Sequence, residues 1–178
     1  DQKFWLQNLD KIICTDNYGF LKRKEPKLYL VEFSSPNTNK PLHLGHIRNN
    51  ILGDSISRII EANGHEVRKV QIINDRGIHI CKSMVAWEKF GNKEIPSDKN
   101  MKGDHFVGHF YIMFEKQYKK EQEDLINSGC SEKESKLKAP IMLEAKDMLL
   151  KWEQNDKYTV DLWKKMNKWV YEGFEETY

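Results

Sequence analysis

From Leu28 to Phe33 the chain reads Leu-Tyr-Leu-Val-Glu-Phe, an almost wholly apolar run. That is the pattern of a strand buried on both faces of a parallel sheet. The period then changes. Leu44, Ile47, Ile51, Leu52, Ile56, Ile59 and Ile60 recur at helical spacing and mark one face of a helix, with Asn63-Gly64 as its stop. Val67 to Ile73 reads as a second strand. Strand, helix and strand predict a βαβ unit, with strands 28–33 and 67–73 parallel, adjacent and joined by a right-handed crossover. Asn74-Asp75-Arg76-Gly77 predicts a loop, and Ile78 to Phe90 a helix.

The flanks read differently. Phe4, Trp5, Leu6, Leu9, Ile12 and Ile13 predict a short amphipathic helix. Asp16-Asn17-Tyr18-Gly19 is a turn, and Lys22-Arg23-Lys24-Glu25-Pro26 a charged connector. Residues 91–104 are polar and contain Gly91, Pro96 and Gly103, which suits a boundary. Beyond it every pattern is helical, with three stripes expected to pack together. The first is Phe106, Phe110, Met113, Phe114 and Tyr118. The second starts at Pro140, which suits a first turn, and holds Ile141, Ala145, Met148, Leu149 and Trp152. The third is Val160, Trp163, Asn167, Val170 and Phe174. The fold class is therefore α/β, in three parts: an amino-terminal helix and connector (1–26), a βαβα half-domain (27–91) and a helical segment (92–178).

Composition narrows the class. The 178 residues are 39% hydrophobic and 31% charged, enough to build a core. No stretch approaches the roughly 20 apolar residues of a membrane span, and no secretory leader is visible. The net charge of +2 is not that of a basic nucleic-acid arm. All five arginines, Arg23, Arg48, Arg58, Arg68 and Arg76, lie in the first half, so fork-shaped phosphate donors are available there only. Cys14, Cys81 and Cys130 form no Cys-x-x-Cys pair, which fits reduced thiols and a cytoplasmic location. The chain opens at Asp1 rather than Met and closes on Glu175-Glu176-Thr177-Tyr178, as expected of a piece of a longer protein.

The candidate chemistry centres on His43-Leu44-Gly45-His46, at a strand–loop–helix junction. Imidazoles three positions apart at a helix start face one way, beside unpaired backbone N–H groups and the positive end of the helix dipole. Gly45 lets a ligand approach the backbone between them. The junction follows the carboxyl end of a parallel strand, where open α/β sheets bind ligands. Donors of this kind suit a phosphate whose charge grows during displacement. The glycine spacings of P-loops and dinucleotide fingerprints are absent, so a bound nucleotide would have to use this loop.

The run from Val31 to Asn50 resembles the signature of class I aminoacyl-tRNA synthetases, and within that class arginyl-tRNA synthetases. The resemblance is carried by Ser35-Pro36-Asn37 before the motif, Lys40 three positions ahead of His43, Ile47-Arg48-Asn49-Asn50, and Asn74-Asp75-x-Gly77. It is close over residues 28–90, while residues 105–178 match as a helical insertion. Where this chain has His79, many members carry Gln. The resemblance implies a Rossmann-like nucleotide-binding half-domain followed by that insertion. It also implies ATP-dependent ligation of L-arginine to tRNA(Arg) through arginyl-adenylate. ATP would enter with Mg²⁺, no protein-bound metal is expected, and neither membrane nor DNA is a partner. His43, His46 and Lys40 are then the catalytic residues. Asn39, His43, Gly45 and His46 bind ATP, and Glu32, Ser34 and Asn37 bind arginine. A carboxylate at the end of a buried strand needs a cation, and the substrate ammonium supplies one for Glu32. The family's second nucleotide-fold half, late Lys-Met-Ser-Lys-like loop, anticodon-binding domain and guanidinium-recognition residues are not within these 178 residues. The isolated chain is therefore expected to activate arginine poorly or not at all.

Other features compete. His105 and His109 have a metal-compatible i, i+4 spacing, but Phe106 stands where a zinc protease carries Glu. His65, after the Asn63-Gly64 stop, reads as a surface residue. Lys164, Lys165 and Lys168 read as a solvated helix face, with tRNA contact as the functional alternative. Two other functions fit the motif: another His-x-Gly-His nucleotidyl transferase, or a synthetase-derived module that binds tRNA or protein without catalysis.

Overall fold

The computed structural model describes residues 2–178. Its elements in order are α1 (Gln2–Ile13), β1 (Leu28–Glu32), α2 (Leu44–Ala62), β2 (Glu66–Val70), α3 (Ile78–Phe90), α4 (Gly103–Asn127), α5 (Glu132–Lys138), α6 (Pro140–Glu153) and α7 (Lys157–Glu175). A 3₁₀ turn spans Pro96–Lys99. The chain divides into two compact units, one of residues 1–35 and 44–72, the other of residues 36–43 and 73–178.

The first unit is the βαβ motif. β1 and β2 pair in parallel, with register running from Leu28↔Glu66 to Glu32↔Val70, and α2 forms the crossover. Gly53 and Ser57, one turn apart, are buried on α2. A Cβ on Gly53 would lie 2.2 Å from the Phe33 ring, so only glycine lets the helix settle over the end of β1. Ser57 Oγ satisfies itself by donating to the Gly53 carbonyl at 2.8 Å. Gly64 stops the helix with φ of +78°. His65 follows, half-buried, and its Nδ1 accepts from the Lys27 N–H at 3.1 Å.

Three expectations fail in this unit. β1 is not buried on both faces: Leu28, Tyr29 and Leu30 are exposed, Leu30 at 67%. The apolar stripe of α2 from Leu44 to Ile59 is exposed as well, Leu44 at 81%. The reason is width. Two strands about 4.8 Å apart offer no more breadth than one helix of about 10 Å. They cover only the Gly53–Ser57 strip of α2. The second strand also ends at Val70, three residues early. Ser34 and Ser35 take φ of 69° and 46°, which turns the chain out of the ladder after the Phe33 N–H has bonded the Val70 carbonyl at 3.1 Å.

The second unit is helical and holds the core. α3 is buried without interruption from Ile80 to Trp87, as befits a helix enclosed by others. Phe106, Phe110 and Phe114 of α4, Ile141 and Ala145 of α6, and Met166, Val170 and Phe174 of α7 close around it. The α4 and α6 residues lie on the stripes read from the sequence. On α7, Val170 and Phe174 hold, but Leu162 and Met166 are the buried positions where the stripe had Val160 and Trp163, which are half-buried. Among the described residues no strand lies beyond residue 104. The helices there number four, not three. α5 was missed because seven residues are too few to show a period. Its amino end nevertheless carries a capping box, in which Ser131 Oγ accepts from the Glu134 N–H and Glu134 accepts from the Ser131 N–H. Gly103 and Gly173 bring α4 and α7 into backbone contact; a Cβ on Gly103 would lie 1.8 Å from the Trp169 carbonyl oxygen. Burial pushes the Cys81 thiol up to about 11, which fits an inert core cysteine.

Candidate active site

The predicted site residues divide between the units. In the first, Glu32 is exposed at the end of β1, so the argument from a buried carboxylate does not hold for it. Its Oε1 accepts from Ser35 Oγ at 2.9 Å. Ser35 Oγ in turn accepts the Ile72 N–H at 3.3 Å, tying the turn to the chain after β2. Ser34 is buried. Gly45 and His46 stand in the first turn of α2, Gly45 exposed and His46 half-buried. The start of a helix carries the positive end of its dipole.

In the second unit, the loop from Pro36 to His43 carries Asn37, Asn39, Lys40 and His43. Thr38 and Asn39 are buried at 1% and 3% exposure, while Asn37, Lys40 and His43 are exposed. The loop's floor is the segment after β2. The Asn74 N–H donates to the Pro36 carbonyl at 3.0 Å, and the Asn74 carbonyl accepts the Thr38 N–H at 3.1 Å. Side chains repeat the pairing, Asn74 Nδ2 donating to Asn37 Oδ1 at 2.7 Å. Asn37 therefore has its oxygen engaged, and its own amide N–H groups are the donors it can offer a ligand. Further along, Gly108 of α4 admits the loop: a Cβ there would lie 2.8 Å from Pro41 Cδ.

Lys40 rests on α4. Its ammonium lies 5.4 Å from the centre of the Tyr111 ring, within cation–π range. The Tyr111 hydroxyl and His79 Nδ1 are hydrogen-bonded at 3.1 Å. Beneath them Lys82, 7% exposed, pairs with Glu115 at 2.7 Å and lies 5.8 Å from the same ring. Burial, then the Lys82 and Lys40 charges, hold His79 below the usual imidazole range, so its ring is neutral at pH 7. Burial and Glu115 push the Tyr111 hydroxyl up, so it stays protonated. The cluster thus places the Lys40 cation over the Tyr111 ring, beside a neutral His79 and the Lys82–Glu115 ion pair. Sequence reading missed Tyr111, Lys82 and Glu115. Tyr111 falls outside the apolar stripe of α4, and a lone Tyr in a helix carries no signal of its partner.

The secondary candidates lead elsewhere. His105 and His109 are exposed, and His109 packs edge-on to Phe110 with ring centres 5.7 Å apart. Among the described residues no group of three or more His, Cys, Asp or Glu side chains could hold a metal, and no helix is long and apolar enough to cross a membrane. Lys165 is not simply solvated: its ammonium lies 4.7 Å from the Trp87 ring centre and 5.1 Å from that of Trp169.

The chain is similar to known proteins. The family model described as tRNA synthetases class I (R), catalytic domain, matches residues 8–178. An arginine–tRNA ligase of Flavobacterium psychrophilum is 54% identical over 173 residues, covering 96% of this chain and 29% of that protein. One from Bacteroides thetaiotaomicron is 51% identical over 175 residues, covering 98% and 29%. Among solved structures, Thermus thermophilus arginyl-tRNA synthetase superposes with a TM-score of 0.53 at 28% identity, over 81% of this chain and 24% of that one. The chain thus spans under a third of the length of these relatives. A match over nearly the whole chain, with the parallel strands and the His-x-Gly-His helix start in place, leads to one conclusion: this chain belongs to the catalytic-domain family of class I arginyl-tRNA synthetases.

Proposed function

We propose that the protein carrying this chain ligates L-arginine to tRNA(Arg) in the cytoplasm. In this reading residues 27–91 begin the nucleotide-binding half-domain and residues 92–178 are a helical insertion. The arginine carboxylate attacks the α-phosphorus of ATP in line, an O–P bond forms, the bond to the β-phosphate oxygen breaks, and pyrophosphate leaves. The arginyl group then passes to the terminal ribose of the tRNA. No enzyme-bound covalent intermediate is needed, so the protein's task is positioning and charge stabilisation. His43, His46 and Lys40 donate to phosphate oxygens as charge develops there, with Asn39 and Gly45 completing the ATP contacts. Glu32 receives the α-ammonium, Ser34 stands beside it, and the Asn37 amide donates to the carboxylate. ATP enters with Mg²⁺; among the described residues no group of three or more His, Cys, Asp or Glu side chains could hold a resident metal.

The observation that carries the reading is the second-unit loop, whose Asn37 is fixed by Asn74 at 2.7 Å and whose Lys40 is held over Tyr111 at 5.4 Å. Exposed polar side chains held in place are prepared for a ligand rather than for packing. The test is pyrophosphate exchange by the full-length protein with tRNA(Arg) and each amino acid in turn. Exchange with arginine alone is expected. Exchange with another amino acid, or none at all while the protein binds tRNA, would refute the assignment.

A further inference from the structure

The Asn74–Gly77 loop is gripped from both sides. Toward the residue 36–38 segment, the Asn74 backbone and side chain make the three hydrogen bonds described above. On its other side lies α7. The Trp163 indole N–H donates to the Asp75 carbonyl at 2.7 Å, and the Tyr171 hydroxyl donates to Asp75 Oδ2 at 2.9 Å. Burial, then Asp75, pushes the Tyr171 hydroxyl up to about 12, so this donor keeps its proton through any working pH. Arg76 is also pinned, over the Trp152 ring at 5.2 Å and to Glu153 at 3.4 Å.

We infer that Tyr171 and Trp163 are positioning residues for the amino-acid side of the site: through Asp75 they fix Asn74, and through Asn74 they set the orientation of Asn37. This rests on the role proposed for Asn37. An exposed loop amide that must be ordered on binding costs affinity, and one already ordered does not. Asp75 itself touches no substrate in this scheme; its carboxylate is the acceptor that ties α7 to the loop.

The test compares variants of the full-length protein. A hydrogen bond to a charged acceptor is worth a factor of about ten or more, part of which is lost before it reaches Asn37. Tyr171→Phe is therefore expected to raise KM for arginine about 3- to 10-fold, with KM for ATP and kcat within about two-fold. Asp75→Asn keeps an acceptor for Tyr171 but not its charge and should fall between wild type and Tyr171→Phe, whereas Asp75→Ala should match Tyr171→Phe. A purely structural tie predicts a lower melting temperature without that split between KM values. Independently, hydrogen exchange at the Thr38 and Asn74 amides of the 178-residue chain should accelerate in Tyr171→Phe, while α6 amides do not change. Unchanged exchange there, or an arginine KM unmoved by Tyr171→Phe but raised by Asn37→Ala, overturns the inference. If Asn37→Ala leaves arginine KM unmoved, the role proposed for Asn37 fails, and the exchange rates alone decide whether α7 orders the loop.

Discussion

Replacing Tyr111 by Leu removes the ring beneath Lys40 while keeping a bulky apolar side chain on α4. Lys40 is exposed, so its cation–π contact at 5.4 Å belongs at the weak end, about 0.5–1 kcal/mol. If that contact is fully expressed in the transition state, single-turnover adenylate formation by the full-length protein should slow about 2- to 5-fold, since about 1.4 kcal/mol is a factor of ten. Removing the ammonium itself by Lys40→Ala should cost far more, on the order of 10²–10³-fold. Tyr111→Phe keeps the ring and loses only the hydroxyl's bonds to His79 and Glu115, so it should stay close to wild type. Lys82 has partners besides Tyr111, with Glu115 at 2.7 Å and the Phe114 ring at 5.3 Å, and a melting temperature on the same preparation separates stability from rate. The decisive assay is a double-mutant cycle of Tyr111→Leu with Lys40→Ala, with an expected coupling of about 0.5–1 kcal/mol. Strictly additive losses, or equal losses in Tyr111→Phe and Tyr111→Leu, would show that the ring does not support Lys40.

His43→Ala in the full-length protein should lower kcat on the order of 10²–10³-fold with little change in ATP binding, because the contact strengthens only in the transition state; a destabilised but fully active variant would refute the catalytic role. Phe114, with no exposed surface, should cost about 3–5 kcal/mol on replacement by Ala, read from urea unfolding of the 178-residue chain; a loss under about 1 kcal/mol would mean the helices do not pack around it. Glu134 is held down to about 2 by hydrogen bonds from the Ser131 backbone and side chain and then by Lys138. Its folded value lies below the unfolded value of about 4.3, so its stabilising contribution is complete above the unfolded value and disappears as pH falls toward about 2. The urea midpoint should therefore fall less steeply over that window in Glu134→Gln than in the wild type, and equal slopes would exclude the contribution.

Periodicity and local chemistry were enough for the element order except for the short α5. The change of period at Leu44 marks the first residue of α2, Gly64 ends that helix, Pro140 opens α6, and the stripes beyond residue 104 are the faces that pack. These features repeat within one or two turns, so neighbouring residues report them. The strand–loop–helix junction that carries His43 and His46 was legible for the same reason, because it is local in sequence. What meets a face is not local. The Ile-rich stripe of α2 looked like the packing face, yet Gly53 and Ser57 pack instead, because a two-stranded sheet covers only one strip of the helix. β2 stops at Val70 because Ser34 and Ser35 turn out of the ladder, a conformation their own letters do not disclose. The partners that give the site residues their orientation lie farther off still: Asn74 stands 37 positions from Asn37, and Tyr171 stands 96 from Asp75. Such pairs depend on which helix crosses which loop, and that follows from close packing of the whole core rather than from any pattern along the chain.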